Sequence, residues 1–168
     1  NIDKALKNFK EKSFDMIFAD PPYFLSNNGI TCSGGKMVSV KRGLSSWSSK
    51  TGYETGATDL YDGYANTKSI INGGHIDFHP AFQWCISLGE GWYLPACNEL
   101  VAIYKVVGPI DKTFSEKGYP SFNTIDYCYW SSTESSTEED RAYAFRNGTI
   151  QQRWTKTSTE YVRAVYCF

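Results

Sequence analysis

The chain has no long apolar run, no Cys-x-x-Cys pair and no excess of charge of one sign. No stretch approaches the roughly 20 consecutive apolar residues of a membrane helix, so membrane insertion is not expected. No charged-then-apolar leader is present, although a start at Asn1 rather than Met leaves a processed leader and export open. A net charge of −1 argues against a dominant phosphate-binding footprint, and nucleic acid is not an expected partner. Five cysteines, Cys32, Cys85, Cys97, Cys128 and Cys167, stand singly beside two histidines. That pattern disfavours zinc, and no metal is expected; one or two disulfides, or buried thiols, fit it instead. What the chain does have is aromatic surface: 16% of its 168 residues, including twelve Tyr and five Trp, enough for a large core and for rigid contact area in loops. The length suits one domain with at most a short appendage.

The strongest local signal is Asn147-Gly148 between two alternating runs, which predicts a two-residue type I′ hairpin turn. The turn sets Arg146 opposite Thr149, Phe145 opposite Ile150, Ala144 opposite Gln151 and Tyr143 opposite Gln152. Alternation then places Tyr143, Phe145 and Ile150 on one face, expected to be core. The other face carries Ala142, Ala144, Arg146, Thr149, Gln151 and Arg153 and reads either as a recognition surface or as an ordinary solvated strand face.

Upstream, lysine alternating with Ile2, Ala5, Leu6 and Phe9 predicts a short amphipathic helix. Phe14 to Ala19 reads as a strand ending at Asp20-Pro21-Pro22-Tyr23, since two prolines cannot continue a ladder. Residues 41–66 have loop composition. Asp59, Asp62 and Asn66 carry calcium-loop oxygens, but Asp59 fits better as the cap of a short helix from Ala65 to Ile71. His75 and His79 read as ordinary loop residues. Pro80 opens a helix with Phe82, Cys85 and Ile86 inward, ended by Gly89. A second helix, capped by Cys97 or Asn98, buries Leu100, Ile103, Tyr104 and Val107 and stops at Gly108-Pro109. Residues 109–128 read as a long loop with one weak helical turn near Asp111.

Asp20-Pro21-Pro22-Tyr23 after an apolar strand, continued to about Val40, resembles the N6-adenine and N4-cytosine DNA methyltransferases. The resemblance implies Asp20 and Tyr23 as catalytic and base-stacking residues, S-adenosylmethionine as cofactor and a cytoplasmic location. The glycine-rich cofactor loop of such enzymes is missing from residues 41–168, where Gly89-Glu90-Gly91 runs into Trp92-Tyr93-Leu94-Pro95. Residues 1–40 are therefore expected to be a fragment or fusion, and 41–168 a separate domain that needs no cofactor.

That second part carries Trp84-Cys85, Leu88-Gly89-Glu90-Gly91-Trp92-Tyr93-Leu94-Pro95, Asn98-Glu99-Leu100, Tyr129-Trp130-Ser131-Ser132-Thr133-Glu134 and Val162-Arg163-Ala164-Val165. In this order, from about residue 35 to 168, the motifs resemble the C-type-lectin-fold domains of gut Bacteroides-type proteins and their phages, including retroelement-diversified variable proteins. The resemblance implies an α+β fold: two helices on a small twisted antiparallel sheet, with terminal strands paired and long loops on one side. It implies a secreted, cell-surface or phage-particle protein whose partner is a protein or glycan on another cell or particle. The implied contact positions are Ser135, Ser136, Thr137, Arg141, Ala142, Ala144, Arg146, Thr149, Gln151, Arg153, Trp154, Thr155 and Thr157. Arg146, Arg153 and Trp154 would be the anchors, and the two alanines would leave room for a partner. It further implies a disulfide from Cys85 to Cys167, and that Val38-Ser39-Val40 serves as the first strand. The Glu-Pro-Asn and Trp-Asn-Asp motifs of calcium-dependent sugar binding are absent, so that activity is not expected.

Overall fold

Tyr129-Trp130-Ser131-Ser132-Thr133-Glu134 alternates two aromatic residues and then four polar ones, yet every one of the six is buried. The reason is its place at the centre of a sheet covered on both faces. The computed structural model describes residues 16–19, 36–52, 54–122 and 126–167, with side chains at all of these except 16–19, 151–153 and 167. In chain order the elements are β1 (Met16–Ala19), β2 (Lys36–Ser39), β3 (Gly43–Ser46), α1 (Gly63–Asn72), a 3₁₀ turn (Ile76–Phe78), α2 (Pro80–Ile86) and β4 (Trp92–Tyr93). Then come α3 (Cys97–Lys105), α4 (Val107–Glu116), β5 (Tyr129–Glu134), β6 (Arg141–Arg146), β7 (Thr149–Thr155), β8 (Thr159–Val162) and β9 (Val165–Cys167). The class is α+β, as the motifs imply.

One sheet has the order β1-β2-β9-β4 and the other β3-β8-β5-β6-β7. The pair β2–β9 continues into the pair β3–β8, so the two ladders bend from one sheet to the other at the same level. Arg163 sits at that bend, 1% exposed. Its guanidinium donates to the carbonyls of Ser39 (2.9 Å), Val40 (3.2 Å), Pro120 (3.0 Å) and Ser121 (3.1 Å) and lies over the Phe114 and Phe122 rings. Burial pulls its pKa down, but four carbonyl acceptors make the site tolerable for a cation. Strand β2 contains Val38-Ser39 and pairs with β9, so the expected first strand is present. Strand β1 lies beyond it, with Met16 opposite Ser39. The helix expected over residues 1–12 and the motif Asp20 to Tyr23 lie outside the described residues.

Two apolar clusters flank the five-stranded sheet. Trp47, Ile70 of α1, Phe82 and Cys85 of α2, and Trp130 form one. Leu100 and Ile103 of α3, Ile110 and Phe114 of α4, and Tyr129 form the other. Each cluster is thus roofed by two helices rather than the sheet having two helices in all. Adjacent Tyr129 and Trp130 point to opposite clusters, as alternation requires. Burial of about 1.5–3 kcal/mol per large apolar side chain makes these clusters the main source of stability.

Several local expectations change. Gly108-Pro109 does not stop a helix: it occupies the first turn of α4, where the missing proline N–H has no carbonyl to reach. Ile110 and Phe114, four apart, then bury one face of a ten-residue helix where only one weak turn near Asp111 was expected within a loop. Asp62, not Asp59, caps α1, its Oδ1 accepting the Ala65 N–H at 2.8 Å. Asp59 closes the preceding turn by accepting the Tyr61 and Asp62 amides at 2.7 and 2.9 Å. Helix α3 starts from Ala96, whose N–H is held by Glu99 Oε2 at 2.8 Å, and α2 ends at Ile86, before Gly89. Gly43–Ser46, read as loop, is a strand, and its first residue is glycine because an added Cβ would lie 2.6 Å from the Trp84 ring.

Candidate binding face

The hairpin forms as its turn dictates. Asn147 and Gly148 both take positive φ, 50° and 77°, and Arg146 pairs with Thr149, Phe145 with Ile150 and Ala144 with Gln151. Beyond Ala144 the register slips by one, so that Ala142 faces Trp154 rather than Arg153. An extra residue in β7 is a bulge, and it sets Trp154 on the face of Ala142.

This slip corrects the predicted face. Ala142 and Ala144 are 0% exposed, not open to a ligand, and belong to the same cluster as Trp47 and Trp130. Phe145 and Ile150 pack on the opposite cluster as expected, and Tyr143 is half-buried. The room over the small alanines is taken by the chain itself: half-buried Trp154 packs against their cluster, and its indole N–H donates to Glu160 Oε1 at 2.7 Å. Strands β7 and β8 are separated in the sheet by β6 and β5, and a large side chain at β6 would obstruct that reach. Burial raises the Glu160 pKa, while the Trp154 bond and the Arg146 charge oppose the rise.

Ser135 is also buried rather than exposed. Its Oγ accepts the amides of Thr137 (3.3 Å) and Glu138 (3.2 Å), closing the turn that carries Ser136 and Thr137 into solvent. Thr157 is exposed, Thr155 and Arg141 are half-buried, and Arg141 donates to Thr155 Oγ1 at 2.8 Å. Arg146 and Thr149 are exposed at the other end of the hairpin. Five strand steps from Arg141 to Arg146 separate the two groups by about 17 Å. The predicted set is therefore two exposed clusters, not one. The Gln151 and Arg153 side chains lie outside the described set.

Under the loops lies an ion pair that no local pattern encodes. Glu134 and Lys156 meet at 2.9 Å with side chains 1% and 2% exposed. Glu134 Oε1 also accepts the amides of Thr55 (2.8 Å) and Ala57 (3.1 Å). The Lys156 N–H donates to Asp140 O at 2.9 Å, its carbonyl accepts the Ser48 amide at 3.0 Å, and its ammonium lies over the Trp47 ring. Burial alone would raise the Glu134 pKa, but the bond and charge of Lys156 and the Thr55 amide outweigh it and hold the carboxyl below its usual range. One buried pair thus ties loop 54–57, the 135–140 loop and the 156–158 turn together.

The Trp-Ser-Ser-Thr-Glu motif serves the same end. Ser131 Oγ donates to Tyr143 O at 2.8 Å, Ser132 Oγ accepts from Asn66 at 3.0 Å, and Thr133 Oγ1 donates to Asp59 O at 2.8 Å. A second buried carboxylate, Glu99, gathers Lys36, the Tyr93 hydroxyl (3.0 Å) and the Gly63 amide (3.1 Å). His79 is buried between Trp47 and Phe82, with Nδ1 2.6 Å from His75 O, and burial lowers its pKa. Cys85 is a free, buried thiol, so the implied bond to Cys167 is not formed. Its helix turns it into the apolar cluster with Phe82 and Trp47, which also raises its pKa.

No family model matches the chain. A short segment toward the N-terminus, 40 residues long, is 65% identical to the type II methyltransferase M2.DpnII of Streptococcus pneumoniae and 62% identical to M2.LlaDCHI of Lactococcus lactis subsp. cremoris. A 43-residue match to M2.MboI of Moraxella bovis is 53% identical. These matches take in 24% to 26% of this chain and only 15% to 16% of those proteins. Among solved structures, a fimbrial protein from Bacteroides ovatus ATCC 8483 superposes with a TM-score of 0.62 at 21% identity, over 82% of this chain and 36% of that one. At that identity the likeness concerns the fold alone.

Proposed function

We propose that residues from about 35 onward form a C-type-lectin-like display domain of a surface or secreted protein, which binds a protein or glycan and performs no chemistry. Contact is made through Ser136, Thr137, Thr155 and Thr157 with Arg141 beside them, and a second exposed group, Arg146 and Thr149, extends the surface. The carrying observation is the Glu134–Lys156 pair, which fastens the loops bearing Ser136, Thr137 and Thr157 from beneath. Loops fixed in this way lose little entropy on binding. The fold likeness to a fimbrial protein supports a surface setting. The motif order supports kinship with the variable proteins, in which exposed positions change while the frame does not.

The test is binding of the purified chain to immobilised bacterial surface proteins and glycans. Replacing Ser136, Thr137 and Thr157 together by Arg should abolish capture with the melting temperature unchanged; capture that survives the triple change rejects this surface.

A second reading, a DNA adenine methyltransferase acting through Asp20 and Tyr23, is favoured by the 65% identity over 40 residues. It demands S-adenosylmethionine binding, which at 100-fold excess over Kd stabilises a fold by about 2.7 kcal/mol. An unchanged melting temperature at millimolar cofactor rejects it.

A further inference from the structure

The side of the five-stranded sheet away from Trp154 carries a cluster that the sequence did not signal. Arg42 lies just before β3, with its guanidinium 4.2 Å from the Tyr161 ring centroid and 4.7 Å from that of Tyr127. The two tyrosine rings are themselves 4.5 Å apart. All three side chains are half-buried. Leu44 stands directly opposite Tyr161 in the β3–β8 ladder and is 60% exposed, more than any other large apolar side chain described. Among the described residues strand β3 ends its sheet, the position at which an extended segment can add.

Among the described residues, no carboxylate or carbonyl accepts from the Arg42 side chain. Its charge acts unfavourably on the buried Arg163, where Tyr129 and then Asp111 act favourably. The four carbonyls that Arg163 occupies are neutral. The Arg42 guanidinium has its planar fork of donors held in place by two rings and meets no protein acceptor among the described residues. A guanidinium pre-ordered by aromatic stacking and short of acceptors matches a carboxylate in bidentate geometry. The neighbouring exposed leucine matches an aliphatic side chain on the same partner.

We propose that Arg42, Tyr127, Tyr161 and Leu44 form a second docking site, which takes an extended acidic segment of a partner protein: a glutamate or aspartate carboxylate on Arg42, with a flanking aliphatic residue on Leu44. The proposal does not rest on the display reading, since none of these four residues belongs to the display face. Arginine and tyrosine are the residues in which binding energy concentrates at protein interfaces, and the exposed leucine favours a peptide over a sugar.

The experiment is an NMR titration of the full chain, following Arg42 Nε–Hε and the Tyr127 and Tyr161 ring signals. The probes are the peptide acetyl-Gly-Leu-Glu-Leu-Glu-Gly-amide, its Gln-for-Glu counterpart, and trigalacturonate. The expected result is a saturable shift with the Glu peptide, weakened about tenfold or more for the Gln peptide and for Arg42→Lys, which keeps the charge but loses the fork. Leu44→Asp, at an exposed position, should abolish the shift without affecting the fold, and provides the reading if Arg42→Lys proves unstable. No saturable shift with the Glu peptide, equal affinity for the Gln peptide, or insensitivity to Leu44→Asp overturns the proposal. Tighter binding of trigalacturonate than of the Glu peptide also overturns it, in favour of an acidic glycan.

Discussion

Replacing Lys156 by Met tests the pair that fastens the contact loops. Methionine keeps most of the stem packed near Trp47 but removes the ammonium 2.9 Å from Glu134. Removing one partner of a buried pair costs about 3–5 kcal/mol. Glu134 keeps the Thr55 and Ala57 amides, so the lower end applies, about 3 kcal/mol at neutral pH. At roughly 2–4 °C per kcal/mol for a chain of this size, the melting temperature should fall by about 6–12 °C. The pH dependence gives a sharper test. In the wild type the Glu134 pKa is held down, so its contribution is present above the unfolded value of about 4.3 and lost as pH falls through the folded one. Without Lys156 the burial effect dominates and the pKa rises, so protonation relieves the variant first. Urea denaturation at pH 7 and pH 4 should therefore show the gap between the two proteins shrinking at low pH. Glu134→Gln combined with Lys156→Met should be more stable than Lys156→Met alone, because the amide oxygen still accepts from the loop without a buried charge. A neutral-pH cost under about 1 kcal/mol, a gap independent of pH, or a double variant no better than the single would refute the reasoning.

Gly148→Ala should cost about 1–2 kcal/mol, read by urea denaturation, because its φ of 77° is left-handed and the new Cβ would sit 2.9 Å from the Tyr104 ring. Trp154→Phe should cost about 1 kcal/mol through the lost bond to Glu160. It should also raise the Glu160 pKa further; a carboxyl already raised by folding loses stability as pH climbs from its unfolded to its folded value, so the penalty should be smaller at pH 4 than at pH 7. Cys85, Cys97 and Cys128 should resist iodoacetamide in the native protein and react in denaturant without prior reduction, as mapped by mass spectrometry; protection of Cys85 that only a reductant removes would restore the disulfide.

The parts of this fold legible in the sequence are those set by local chemistry. Asn147-Gly148 fixed a turn and three cross-strand pairs because only residues tolerant of positive φ allow it. Phe82 and Cys85 on one helix and Leu100 and Ile103 on another were readable from spacing. Gly108-Pro109 was misread because the same pair that ends one helix can enter the first turn of the next, and the choice rests on where Ile110 and Phe114 find a core. The contact face was misread for a different reason. Alanine alternating with aromatic residues looks one-sided, but a central strand between two helical layers buries both sides, and the bulge that brings Trp154 over the alanines leaves no local mark. The Glu134–Lys156 pair and the Arg42 cluster join residues far apart in the chain, which no local pattern encodes.

The most direct test of the display reading is deep sequencing of codons 129 to 168 across the source population. Substitutions gathered at Ser136, Thr137, Arg146, Thr149 and Thr157, with Trp130, Glu134, Ala142, Ala144, Phe145 and Lys156 constant, are the predicted result. A uniform sequence, or change spread equally over the buried positions, would contradict a variable binding face on a fixed frame.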